Sequence, residues 1–260
     1  MAAPPGMAAS SGIAGMGGHG MSGMGGMGGM AAASTAPGSV LVLAPGTLAT
    51  VLPMVDKEFV HAHPAASVSP SFGHSPAQVI QVKQGSPGDV LLTVGAESMA
   101  EAKKDGLLAG DSTVFGRNRL EIIVPAGNRK GVHTLADLAK PGLTVVLPDE
   151  STPAGVYADR ALAKAGVTVK PASKELGSPD VAQKVATGNA DAGIAFVTDV
   201  KAGGSKVTGI DIPDADQVPA EYRAAVLKNA KHAAAAGMFV SFLSSPTAQQ
   251  QFRQFGFLAP

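Results

Sequence analysis

The chain has 260 residues, enough for two lobes with separate apolar cores, and its 20 basic side chains are matched by 20 acidic ones. That balance leaves no field to gather nucleic acid or an anionic membrane. With aromatics at 4% and no tryptophan, it also offers no base-stacking surface and no indole-lined sugar cleft. Cysteine is absent, which removes disulfides, thiolate metal sites and cysteine nucleophiles together.

Residues 1–38 carry no charged side chain and are dominated by Gly, Ala, Ser and Met, so they are expected to form a flexible tether. Within it His19, Met21 and Met24, with Met16, Met27 and Met30, are candidate soft ligands for Cu(I), the plainer reading being a low-complexity linker. No run of about 18 apolar residues occurs, so no membrane span is expected. The start lacks the basic and apolar regions of a signal peptide, so for an exported protein a mature or trimmed form is expected.

From Val40 the pattern alternates. An apolar strand, "SVLVLAPG" (39–46), leads into helical spacing over 48–64, which stops at a proline. A strand over 65–72, a helix over 75–85 with Pro76 in its first turn, a strand over 88–94 and a helix over 96–106 follow. A long strand starts at 118–128, and 134–142 predicts a short helix. Strands over 143–151 and 167–173 alternate with helices over 153–166 and 178–191; "AGIAFVTDVKAG" (192–203) continues the pattern, and 207–213 is a strand leading back. The end, 220–257, reads as helices with little strand. This is an α/β fold of mainly parallel sheets flanked by helices. It divides into lobe 1 at 39–118 plus 214–260 and lobe 2 at 119–213, with a hinged cleft between them.

The chemistry of catalysis finds no foothold in the sequence. His61 and His63 stand near Glu58 as a possible metal set, but they fall at a helix end before Pro64, where a solvated cap is the simpler reading. No H-E-x-x-H, G-x-S-x-G, Walker A or G-x-G-x-x-G pattern occurs, so neither an enzyme nor a resident cofactor is expected. Asp89, Asp199, Asp211 and Asp214 sit at strand ends, as capping or hinge residues do.

What recurs is a small or hydroxyl residue wherever a strand meets a helix: Gly46-Thr47, His74-Ser75, Thr152-Pro153-Ala154-Gly155 and Ser178-Pro179-Asp180-Val181. Each junction exposes unpaired N–H groups and the positive end of a helix dipole. Any one of them reads as an ordinary N-cap, but four facing one cleft would hold a dianion without Lys or Arg.

With "SFGHS" (71–75), "QGSPGDVLL" (84–92), "GRNRLEIIVPAGN" (116–128), "PAGVYADRALAKAG" (153–166), "DVAQKVATGNADAGIAFVTDV" (180–200) and "SSPTAQQQFRQFGF" (244–257), the chain resembles the periplasmic molybdate-binding proteins of ABC importers over about 40–260. The resemblance implies the two-lobed periplasmic-binding-protein fold. It implies capture of a tetrahedral oxyanion, molybdate or tungstate, for a membrane permease, by a monomer that is periplasmic or cell-surface and membrane-tethered. Carried over by position, it implies hydroxyl donors at Thr47 and Ser75, backbone N–H donors at Ala154 and Val181, and Phe196 where the family has a tyrosine. The alternative is a metal-handling protein binding copper through its Met/His tail, or a surface interaction protein on the same scaffold.

Overall fold

The computed structural model describes residues 38–260. His19, Met21 and Met24, and with them the tether and copper expectations, lie outside the described residues.

Strand β1 (Gly38–Pro45) ends in a 3-10 turn at Gly46–Leu48, and α1 (Leu52–Ala62) follows. Helix α1 turns Leu52, Val55 and Phe59 inward at three- and four-residue spacing, takes Pro53 in its first turn and stops before Pro64. The unit repeats as β2 (Ala66–Gly73), α2 (Ser75–Lys83), β3 (Val90–Val94) and α3 (Ala96–Lys104). All five residues of β3 are buried, as a strand covered on both faces requires. Strand β4 (Thr113–Asn118) precedes β5 (Leu120–Pro125) by one residue, Arg119.

The second series runs β6 (Val145–Pro148), α4 (Pro153–Lys164), β7 (Ser173–Glu175), α5 (Ser178–Ala186), β8 (Ala192–Phe196), α6 (Val197–Gly203) and β9 (Val207–Asp211). The chain closes with β10 (Ala220–Val226), α7 (Ala233–Phe242) and α8 (Pro246–Gln254).

The strands make two five-stranded sheets, ordered β2-β1-β3-β10-β4 and β7-β6-β8-β5-β9. In each sheet the first three strands are parallel, and the fourth runs antiparallel to its neighbours on both sides. The sheets are therefore topological copies, with β1, β2 and β3 equivalent to β6, β7 and β8. The reversed strand of each is the one that arrives from the other sheet, β5 directly after β4 and β10 after β9. Gln217, buried between β9 and β10, ties the two crossings together. Its amide donates to the Leu120 carbonyl at 2.6 Å and its oxygen accepts from the Leu120 N–H at 3.3 Å.

In the second sheet α5 lies unusually close to β8, because Gly193 has no side chain. A Cβ there would stand 2.6 Å from Val181 Cγ1 and 2.7 Å from the Val146 carbonyl oxygen. Val181 is fully buried against Val146, Ile123 and Ala195 in that close contact.

Three segments differ from the sequence reading. Residues 220–226 form β10 in the middle of the first sheet, not helix. Ala, Glu and Arg favour helix locally, but Ala220, Tyr222 and Ala224 alternate inward and tertiary pairing decides. Residues 113–117, assigned to nothing by the sequence reading, form β4 together with Asn118, which was expected to open the next strand; the short run is stabilised by pairing with β10. The strand expected at 167–173 begins only at Ser173: Val167 and Val169 pack on the core as irregular chain, and β7 pairs with β6 from Ser173.

Candidate anion site in the cleft

The four junctions singled out in the sequence stand at the C-terminal ends of β1, β2, β6 and β7, where doubly wound sheets place their ligands. They enclose a cavity of about 290 Å³, lined from the first series by Thr47, His74 and Ser75 and from the second by Ala154, Ser178 and Phe196. No Lys or Arg side chain lines it, and its only ionisable side chains are those of His74 and Asp180. Asp180 is exposed.

Thr47 sits on the 3-10 turn after β1, held by the buried Leu48. Its Oγ1 accepts from the Tyr222 hydroxyl at 2.9 Å. Tyr222 is wholly buried on β10, and burial pushes its phenol far above the ordinary range, so it is a neutral donor at any working pH. With Oγ1 already accepting, the Thr47 hydroxyl hydrogen remains for the cleft. Asn118, at the end of β4, donates to Thr198 Oγ1 at 2.9 Å and to the Tyr222 oxygen at 3.4 Å. One buried chain of bonds thus joins the crossing between the sheets to the cleft wall.

Ser75 is the first residue of α2, 1% exposed, and its Oγ accepts from the Val94 N–H at 3.2 Å. Its hydroxyl hydrogen finds no protein acceptor among the described residues. Gln78, one turn on, donates to the carbonyls of Ala44 and Ser71 at 3.1 and 3.0 Å, locking the ends of β1 and β2 beneath the site.

On the other wall Thr152 caps α4, accepting from the Gly155 N–H at 3.1 Å while donating to the Asp149 carbonyl at 2.7 Å. Between them the Ala154 N–H has no acceptor within the helix. Gly155 is required by close approach, for a Cβ there would fall 2.0 Å from the Asp149 carbonyl oxygen.

At the fourth junction Ser178 opens α5, and its Oγ accepts from the Phe196 N–H at 2.8 Å. It is the counterpart of Ser75, with β8 in place of β3. Unlike Ser75, it spends its own hydrogen, donating to Asp199 Oδ2 at 2.5 Å. Asp199 is buried on α6, and desolvation pushes its carboxyl up to about 7 against the opposing pull of the Ser178 bond.

The backbone arrangement corrects one candidate. Val181 is absent from the cavity wall, and its N–H donates to the Gly177 carbonyl at 3.3 Å. The first-turn N–H groups without an intrahelical acceptor belong to Ser178 and Asp180. Sequence spacing could not distinguish N3 from N4 of this helix. Phe196, also a candidate, is fully buried and lines the cavity. The sequence reading missed Tyr222, whose segment looked helical, and the Ser178–Asp199 pair, which only the fold brings together across 21 residues. The walls meet at the mouth, where a Cβ on Gly177 would lie 3.8 Å from His74 Cε1.

The profile of the bacterial extracellular solute-binding proteins matches residues 40–258. The chain belongs to that family. Among curated relatives, the molybdate-binding protein ModA of Mycobacterium tuberculosis is 35% identical over 222 residues, 85% of each chain. A putative ABC transporter substrate-binding lipoprotein of Bacillus subtilis, YvgL, is 28% identical over 85% of this solute-binding protein and 86% of its own length. Of solved structures, the periplasmic molybdate-binding protein of Azotobacter vinelandii superposes with a TM-score of 0.73 at 18% identity, over 85% of this chain and 99% of that one. The sulfate-binding protein SubI of M. tuberculosis superposes with 0.74 at 21%, over 84% and 86%. These last two likenesses are of fold, the two-lobed periplasmic-binding-protein architecture. The family is one of binding proteins and extracellular, and no helix among the described residues is long and apolar enough to cross a membrane.

Proposed function

We propose that this solute-binding protein captures a tetrahedral oxyanion, molybdate or tungstate, in its cleft and delivers it to the membrane permease of an ABC importer. It works as a tethered monomer outside the cytoplasmic membrane. The observation that carries the reading is the set of four strand-to-helix junctions around one cavity with no Lys or Arg side chain in its wall. A dianion there is held by neutral donors: the hydroxyls of Thr47 and Ser75, and backbone N–H groups of Ala154 and of the first turn of α5. The 35% identity to a protein named for molybdate binding supports the choice of anion. Apart from the exposed Asp180 carboxylate, the wall offers donors, and these select a fully deprotonated anion, since a protonated one would lose a bond at its own O–H.

Capture closes lobe 1 (39–118 plus 214–260) on lobe 2 (119–213), hinged where β4 passes into β5 and β9 into β10. The Asn118–Tyr222–Thr47 bonds run from that hinge to the ligand.

Calorimetric titration with molybdate, tungstate and sulfate is the direct test, and saturable heat with none of the three removes the capture reading. Thr47→Ala and Ser75→Ala are each expected to weaken molybdate binding by about 1–3 kcal/mol. Ser75→Ala also strands the Val94 N–H, so its melting temperature falls as well, by the equivalent of about 1 kcal/mol. Affinities unchanged in both variants would take these hydroxyls out of the site. Tyr222→Phe, which leaves Thr47 without its donor, is expected to weaken binding about five- to tenfold while touching no ligand atom.

A further inference from the structure

Ser178 lines the anion cavity, yet its hydroxyl hydrogen is turned away from it, into the carboxylate of Asp199 at 2.5 Å. A serine hydroxyl has one hydrogen to give and two lone pairs to receive with. One lone pair takes the Phe196 N–H at 2.8 Å. If Asp199 is ionised, the hydrogen must go to the carboxylate. If Asp199 is protonated, the carboxyl O–H can donate to the second lone pair of Ser178, and the serine hydrogen is released toward the cavity. The same protonation removes a buried negative charge lying behind the wall against which a dianion sits.

We propose that Ser178 is a further anion-binding donor gated by Asp199, so that binding of the oxyanion is coupled to uptake of a proton by that carboxyl. The proposal rests on the capture of a dianion in this cleft. The surroundings of Asp199 favour it. The residue is 7% exposed, and the protein charge that acts on it is the carboxylate of Asp180 on α5, which opposes ionisation. Tyr222 on β10 feels Asp199 but stays neutral. The remaining charged groups around α6, Glu121 on β5, Asp211 on β9, Arg119 and Lys201, act on one another. Burial already holds the carboxyl at about 7, and a dianion beyond Ser178 raises it further. The proton comes from solvent and stays on Asp199 until the anion leaves. This donor also stands next to Phe196, where the ring has no hydroxyl to offer.

The sign follows from linkage: the bound state holds the proton more tightly, so affinity falls as pH rises through the region around 7. Molybdate titrations of wild type from about pH 6 to about pH 9 are expected to weaken by up to roughly tenfold per unit in the upper part of the range. At about pH 7.5, binding heats in buffers of different ionisation enthalpy should differ in the sense of proton uptake. Asp199→Asn keeps the shape, donates from its amide to Ser178 and carries no charge, so its affinity should be nearly flat with pH and exceed wild type at the alkaline end. Ser178→Ala should lose several-fold in affinity at the acid end and little at the alkaline end, where its hydroxyl is already committed. His74→Gln should keep the wild-type slope, since His74 lies outside the switch.

A wild type that binds molybdate with flat affinity and buffer-independent heat overturns the proposal. So does a slope retained in Asp199→Asn or lost in His74→Gln. The buffer-dependent heat is read on wild type, so it decides even if a variant misfolds. Absence of binding in wild type at every pH sinks the capture reading and this inference together, and is told apart by the missing heat.

Discussion

Replacing Gly155 with alanine is expected to lower the melting temperature by about 6–12 °C, the equivalent of about 3 kcal/mol at roughly 2–4 °C per kcal/mol for a body of this size. The added Cβ meets backbone on every near side: the Asp149 carbonyl oxygen at 2.0 Å, its carbon at 2.4 Å and the Glu150 nitrogen at 2.8 Å. None of these is the end of a flexible side chain that could swing aside. The first turn of α4 has to lift off the end of β6, breaking the Thr152 cap and carrying the Ala154 N–H out of place. Molybdate affinity should therefore fall more than stability alone accounts for. Scanning calorimetry and titration of the same sample check both, and an unchanged melting temperature would mean that the turn relaxes at no cost. Substitution at Gly46, where a Cβ meets nothing within 4 Å, is the control and should leave stability nearly unchanged.

Phe196→Tyr is expected to tighten molybdate binding by up to about a hundredfold. The ring lines the cavity and is otherwise sealed, so a hydroxyl on it reaches either the anion or nothing. Two readings separate these outcomes. If the hydroxyl points into the cleft, water satisfies it in the free variant and stability changes little, while the tighter binding makes the ligand-induced rise in melting temperature exceed that of wild type. If the hydroxyl points into the core, the variant is destabilised with and without ligand and affinity does not improve. The gain should be largest at alkaline pH, where Ser178 has turned its hydrogen to Asp199, and smaller where that donor is available.

Much of this molecule is legible along the chain because its signals are local. The apolar runs of β1 and β3, the amphipathic spacing of α1 and α4, and the prolines at the first turns of α2, α4 and α5 each arise from neighbours within one or two turns. The alternation of strand and helix implies sheets with their ligand edge at the strand C-termini. Thr47, Ser75 and Ala154 were identifiable there as small residues at helix mouths, and all three line the cavity. The residues that fill the second rank were not legible. Tyr222 reaches Thr47 from 175 positions away on a strand whose alanines and charges favour helix, and Asn118 joins it from the end of β4. Whether a helix-opening serine spends its hydrogen on a buried acid is not written in its spacing: Ser178 donates to Asp199, whereas Ser75 accepts from the Val94 N–H and has no such acid beside it. The elements, their repeated strand-helix grammar and the hydroxyl-rich mouths follow from the chain alone, because propensity, capping and periodicity act over a few residues. Which N–H of α5 stays free, which strand fills the middle of the first sheet and which hydroxyl is spent follow only from packing, because they depend on groups that meet when distant segments come together in a low-dielectric interior.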